Sequence, residues 1–294
     1  MANSALLDQR VLLLGARGMI GSALSKQLHS VSVTAYGHQD LDITDYVGLE
    51  KVFLRLKPQL VVNAAAFTRV DDCEKFREPA FVANSQAPAH LAALCKKNNA
   101  TLVHFSTDYI FDGTSPRPYK EDDPANPINY YGTTKWEAEK RIKSSGCSYL
   151  IVRTAWIFGK NGDNFVKKIL KRAMAGGRLF SPADQVGSPT YAEDLAAAVV
   201  RLLERDYSGV VHFTNSGFTS RYNQAIAILK MYGLNNSVEA AKNDDLLVPA
   251  KRPPFSVLDI TRYSEITGQT PRSWQQSTAD YVEYLKQNEQ ELRS

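Results

Sequence analysis

Asn129 to Lys135 read NYYGTTK, which sets Tyr131 four residues ahead of Lys135. On a helix that spacing puts both side chains on one face. A free phenol titrates near ~10 and is a weak acid–base catalyst at neutral pH. A nearby ammonium stabilises the phenolate and draws its pKa towards the working range. A Tyr–Lys pair at this spacing can therefore move a proton. It can equally be an ordinary surface pair, so its meaning depends on its surroundings. Phe105–Gly113, FSTDYIFDG, ends an apolar run with two hydroxyls, Ser106 and Thr107, and either can hydrogen-bond a reacting carbonyl. Asn84 reads equally as part of a water-mediated proton relay or as a helix-breaking structural amide. Tyr130, one residue off the Tyr131 face, reads as packing or as a substrate wall.

A second group of residues suits a phosphate-bearing cofactor. GARGMIG spaces Gly15, Gly18 and Gly21 three apart between an apolar run and a helical pattern. In such a turn one glycine permits the tight bend, one lets the backbone approach a pyrophosphate, and one lets helix pack on strand. The helix N-terminus adds unpaired N–H groups. Met19 and Ile20 complete the turn. The GxxGxxG spacing resembles that of the short-chain dehydrogenase/reductase superfamily, whose NAD-preferring members carry an acid at the end of the second strand. Here that point is near Gly37, followed by His38, and reads as lacking an acid. Arg17 sits where it would face a 2′-phosphate. NADPH is thus the expected cofactor, with NADH usable. Asp42 and Ile43, in LDI, approach the adenine, and Ala64, Ala65 and Ala66 leave room for the cofactor.

The elements that must position these groups alternate. Strands are expected at Arg10–Gly15, Val31–Gly37, Gln59–Ala66, Thr101–Thr107 and Ser148–Thr154, with amphipathic stretches between them. The helix after LDIT takes Thr44 or Asp45 as its cap. This rhythm predicts an α/β fold: a doubly wound parallel sheet of Rossmann type, with ligands at the carboxyl ends of the strands. Residues 1–158 read as the dinucleotide-binding domain. Residues 159–294 read mainly as a smaller C-terminal α/β substrate lobe, with elements of about 190–230 packing back onto the sheet. The amphipathic last helix suits either a homodimer contact or a cap on the small lobe.

Composition limits the partners. The net charge of +4 over 294 residues, with no Lys/Arg block, argues against nucleic acid and for a small, locally bound anion. Cys73, Cys95 and Cys147 have no CxxC spacing and read as reduced thiols rather than a disulfide frame or zinc site. No metal-ligand cluster is evident. MANSALLDQR lacks a basic patch leading into an apolar run, and no stretch approaches the ~18 apolar residues of a membrane helix. A cytoplasmic protein without a membrane partner is expected.

Together, LLLGARGMIGSAL, LDITD, VVNAAAFTRVDDCE, STDYIFDGTSPRPYKEDDPANPINYYGTTKWEAE, RTAWIFGKNGDNFV, DQVGSPTYAEDLA and AKRPPFSVLD resemble the dTDP-4-dehydrorhamnose reductase family. Its members use a nicotinamide cofactor to reduce the 4-keto group of dTDP-6-deoxy-L-lyxo-4-hexulose to dTDP-L-rhamnose. The resemblance implies that Thr107, Tyr131 and Lys135 are the catalytic trio, Tyr131 supplying the proton. It implies sugar contacts from Thr107, Asp108 and Tyr131, a wall from Tyr109, and stacking of Trp156 on the sugar ring. Asn164 and Phe165 would border the nucleotide, and Gln185, Ser188 and Arg252 would lie near its base. Related nucleotide-sugar reductases and epimerases share the glycines and the Tyr–Lys pair. So does the non-catalytic regulatory β subunit of methionine adenosyltransferase, which resembles the same family.

Overall fold

The computed structural model describes residues 9–28, 32–243 and 248–293. Five strands, β1 (Arg10–Leu14), β2 (Ser32–Tyr36), β3 (Leu60–Asn63), β4 (Thr101–Thr107) and β5 (Ser148–Thr154), are joined in one sheet by β6 (Gly209–His212). The order is β6-β5-β4-β3-β1-β2 and every pairing is parallel. Val31, expected to open the second strand, lies outside the described residues.

Strand residues alternate between two buried faces. Val11, Leu13, Val62, Val103 and Val152 point to one side, against α1 (Met19–Gln27). Leu12, Leu14, Val61, Leu102 and Ile151 point to the other. That second face is covered by α2 (Tyr46–Leu56), α3 (Ala87–Lys97) and α4 (Tyr130–Ser144). Burial on both faces explains why these strands are almost continuously apolar. Asp45 caps α2, its carboxylate accepting from the Gly48 N–H at 2.9 Å.

Later residues divide between this body and a second core. Helix α6 (Ala192–Glu204) lies against α1 on the first face of the sheet, and Phe213 and Tyr263 join the same core. Helices α5 (Phe165–Met174), α7 (Arg221–Tyr232) and α8 (Trp274–Gln287) pack together around Leu170, Ile228, Tyr281 and Leu285. The apolar face of α8 is thus buried in its own lobe, which it caps. Cys73, Cys95 and Cys147 are buried and free. Among the described residues no helix is long and apolar enough to cross a membrane, and no cluster of His, Cys, Asp and Glu is assembled for a metal.

Candidate active site

The carboxyl ends of β1 to β5 open into one cavity of about 1200 Å³. It is lined by Gly15, Arg17, Gly18, Met19 and Ile20 from the first turn, then by His38, Asp42, Ile43 and Ala64–Ala66. Thr107, Asp108, Tyr109, Tyr131 and Trp156 complete the other end. These expected residues, scattered along the chain, share one space.

The first turn is shaped as a cradle. Gly15 has φ +76°, and a Cβ there would stand 2.6 Å from the Ala65 nitrogen. A Cβ on Gly21 would meet the Gly15 carbonyl oxygen at 2.2 Å. Gly21 therefore lies beneath the turn, packing α1 onto it, and does not line the cavity. Gly18 begins α1 without a side-chain cap, so the first N–H groups remain available to an anion. The cradle fits a dinucleotide phosphate.

The second strand's end corrects the reading that no acid stands there. Asp40 folds back so that its carboxylate accepts from the Gly37 N–H at 2.8 Å and from Arg17 at 2.9 Å. Arg17 also donates to Gln39 at 3.1 Å. The Arg17 side chain is 63% exposed and its guanidinium is held by Asp40, rather than standing free for a 2′-phosphate. His38 lies 3.6 Å from Asp42.

The start of α4 is set by Asn129, whose side chain accepts from the Gly132 N–H at 2.8 Å and donates to the Lys251 carbonyl at 2.8 Å. Tyr131 thereby falls in the first turn. A Cβ on Gly132 would stand 2.0 Å from the Tyr109 carbonyl oxygen, so glycine lets α4 press against the exit of β4. That approach sets Tyr131 beside Thr107 and Ser106, which line the same cavity, and the Thr107 hydroxyl acts on the phenol. Thr107 also donates to Asp108 at 3.0 Å and accepts from the Tyr109 N–H at 3.1 Å. The Tyr109 ring meets Tyr131 edge-on, 6.2 Å between centroids. Tyr130 is turned away, with Arg77 over its ring at 4.9 Å.

The electrostatics differ from the expectation that lysine lowers the phenol's pKa. Burial pushes Tyr131 well above the usual tyrosine range, Asp108 and Cys73 add to this, and Thr107 pulls the other way. Lys135 is 2% exposed and lies behind the cavity wall, 3.1 Å from His104 Nε2. Burial draws it down to about 8, while Glu139 pulls it up. His104 Nδ1 faces the Asn63 side chain at 3.3 Å, and Asn63 Oδ1 accepts from the Ala65 N–H at 3.1 Å. A polar chain thus links Lys135 to the Ala64–Ala66 loop. Burial raises Asp108 to about 6, against the effect of its bonds from Ser256 and Thr107. Asn84 sits in a π-helical turn, Val82–Gln86. It accepts from the Phe67 N–H at 2.8 Å and donates to the Phe67 carbonyl at 3.0 Å and to Thr134 at 3.1 Å. Three bonds consume this amide, so it clamps the loop to α4.

Four expected substrate residues are not brought to the cavity. Asn164 caps α5, accepting from the Lys167 N–H at 3.1 Å and donating to Gly159 and Tyr281 at 3.0 Å each. Gln185 donates to Asn243 at 2.6 Å, and Ser188 to the Gly217 carbonyl at 2.9 Å. Arg252 is bidentate to Asp71 at 2.6 and 2.7 Å, beside Tyr109. Trp156 does line the cavity, at the left-handed φ of +47°. Such backbone costs roughly 1–3 kcal/mol and concentrates at functional sites. The Arg221 guanidinium covers one face of its indole, 3.6 Å from the centroid. Arg221 lines the cavity and was missed in the sequence because nothing local marks it. It reaches the site only because α7 packs there.

The family described as RmlD substrate binding domain matches residues 9–287. The spore coat polysaccharide biosynthesis protein SpsK of Bacillus subtilis is 37% identical over 93% of this chain and 97% of its own length. A dTDP-4-dehydrorhamnose reductase of Aggregatibacter actinomycetemcomitans is 34% identical over 94% of this chain and 99% of its own. Among solved structures, the dTDP-4-dehydrorhamnose reductase of Bacillus anthracis in complex with NADP superposes with a TM-score of 0.91 at 30% identity. It covers 94% of this chain and 99% of its own.

Proposed function

The chain belongs to the RmlD substrate binding domain family, and from that premise we propose that it is an oxidoreductase acting on a dTDP-sugar. It reduces the 4-keto group of dTDP-4-dehydrorhamnose to give dTDP-L-rhamnose, with NADPH preferred and NADH usable. What supports this above all is that Thr107 and Tyr131 line the same cavity as Gly15 and Gly18 of the first turn.

When bound in that cradle, the nicotinamide cofactor supplies hydride. Gly15, Gly18, Met19 and Ile20 hold its phosphates, and Ala64–Ala66 make room beside them. Tyr131 donates to the keto oxygen, and Thr107 joins it by turning its proton from Asp108, so that both stabilise the charge that develops there. Tyr131 gives the oxygen its proton. Because burial keeps the phenol protonated, the acid form is in place before reduction begins. Lys135, behind the wall, acts as a positioning residue, bracing the Ala64–Ala66 loop beside the cofactor through His104 and Asn63. Asp108 and Tyr109 border the sugar.

Purified protein mixed with dTDP-4-dehydrorhamnose should oxidise NADPH and form dTDP-L-rhamnose. A folded protein that binds a dinucleotide but oxidises neither cofactor would defeat this reading. Tightly retained NAD on purification would point to an epimerase instead.

The Asp40–Arg17 pair bears on cofactor choice. An exposed pair of this kind is worth roughly 0.2–1 kcal/mol, so a 2′-phosphate can draw Arg17 from it. Asp40→Asn frees the guanidinium and removes a negative charge from the same spot. The ratio of kcat/KM for NADPH to that for NADH should rise roughly 3- to 10-fold. An unchanged ratio, or a shift towards NADH, would remove Arg17 from phosphate recognition.

A further inference from the structure

Three arginines line the cavity. Arg17 is paired with Asp40 at 2.9 Å and Arg69 with Asp72 at 2.9 Å. Arg221 has no carboxylate within ion-pair distance among the described residues. Its guanidinium lies over two aromatic rings, 3.6 Å from the Trp156 centroid and 4.6 Å from that of Phe165. Among the described residues its one side-chain hydrogen bond goes to the Gln224 amide oxygen at 3.1 Å. Burial lowers its pKa to about 10, opposed by Tyr109 and Asp108. A desolvated cation without a counter-ion is costly, and stacking on aromatic faces offsets only part of that cost. A guanidinium stacked on aromatic side chains, with N–H groups uncommitted, is arranged to meet an anion from the cavity.

We propose that Arg221 binds the diphosphate of the nucleotide sugar, at the phosphate joined to the sugar. This rests on the reading of the cavity as a nucleotide-sugar site. Position supports it. Arg221 stacks on Trp156, and Asp108 and Tyr109, which act on its charge, directly follow Thr107 in the chain. It therefore stands at the end of the cavity where reduction takes place, away from the Arg17 turn. In a nucleotide sugar the anion nearest the reacting ring is the phosphate at its anomeric carbon. A planar, fork-shaped donor fits two phosphate oxygens. Asp108 does not occupy this position, because its carboxylate is committed to Ser256 at 2.6 Å and Thr107 at 3.0 Å.

The test compares dTDP with thymidine as ligands for the parent chain, Arg221→Gln and Arg221→Lys, each shown by cofactor binding to be folded. The parent should bind dTDP far more tightly than thymidine. Arg221→Gln should lose roughly 10- to 100-fold in dTDP affinity and leave thymidine binding unchanged. Arg221→Lys, which keeps the charge but not the fork, should lie between them. In turnover of the dTDP-keto sugar, Arg221→Gln should raise KM with kcat nearly held, as for an interaction made equally in ground and transition states. If the parent binds dTDP well and Arg221→Gln binds it equally well, the assignment of Arg221 is wrong and the nucleotide-sugar reading stands. If the parent binds neither dTDP nor the dTDP-sugar, that reading itself fails and takes the assignment with it.

Discussion

Tyr131→Phe should bind cofactor and nucleotide sugar about as well as the parent and reduce the sugar ~10²- to 10⁴-fold more slowly, the range for losing a positioned general acid. The phenol is placed by three local features: the Asn129 cap, the close approach permitted by Gly132, and the Thr107 hydroxyl. Removing one oxygen leaves all three in place, so the loss should appear in kcat rather than in KM. Burial holds the phenol protonated in the cofactor-free chain. Single-turnover rates with saturating substrate, together with dissociation constants for both ligands, check this directly. A variant within about 3-fold of the parent, a barrier change of under 1 kcal/mol, would mean that another group delivers the proton.

Lys135→Met should be less active and more stable. The lysine is almost fully buried, faces His104, and is drawn down to about 8. An unfolded chain holds that proton up to about 10.4. Between those values the unfolded chain binds more protons, so stability rises with pH there. Below about 8 both states carry the proton, and the full cost of burying the charge is present. That cost is roughly 3 kcal/mol, partly offset in the variant by the bond His104 loses. A methionine of similar length should therefore raise Tm at neutral pH by a few degrees, and the advantage should shrink as pH climbs through 8 towards 10.4. Turnover should fall by roughly 10²-fold or more. Thermal unfolding at two pH values, beside the activity assay, checks both halves. A variant less stable than the parent at neutral pH would show that the lysine holds the fold together.

The strands, the parallel sheet and the glycine turn could be read locally, because each has its own period or spacing. The helix that carries Tyr131 and Lys135 was legible for the same reason. Asp40 was not, because the acid was sought at the strand's end, whereas the chain turns back and presents it four residues after Tyr36. Lys135's environment was hidden too, since His104 belongs to a strand far away in sequence. The Asn164 amide illustrates another limit. DNFVKK has the form of a helix cap followed by an amphipathic helix, and that local reading describes its side chain better than the family-wide expectation. Arg221 depends on the packing of a second lobe against the first, which no local pattern encodes.

Strand β6 lies at the edge of the sheet beside β5, although more than fifty residues separate them in the chain. Helix α6, which covers α1, also comes late. A ribosome that has released only the first 158 residues has made every strand end that lines the cavity, yet not the pieces that close the sheet. The nascent chain then presents an unpaired β5 edge and an apolar face, around Leu13, Val62 and Val152, that α1 alone covers. It must wait for His212, and for Tyr263 after it, before that face is sealed. During synthesis this stretch is the natural place for a chaperone to hold the chain, and a release of the first half alone would favour aggregation over a working half-enzyme.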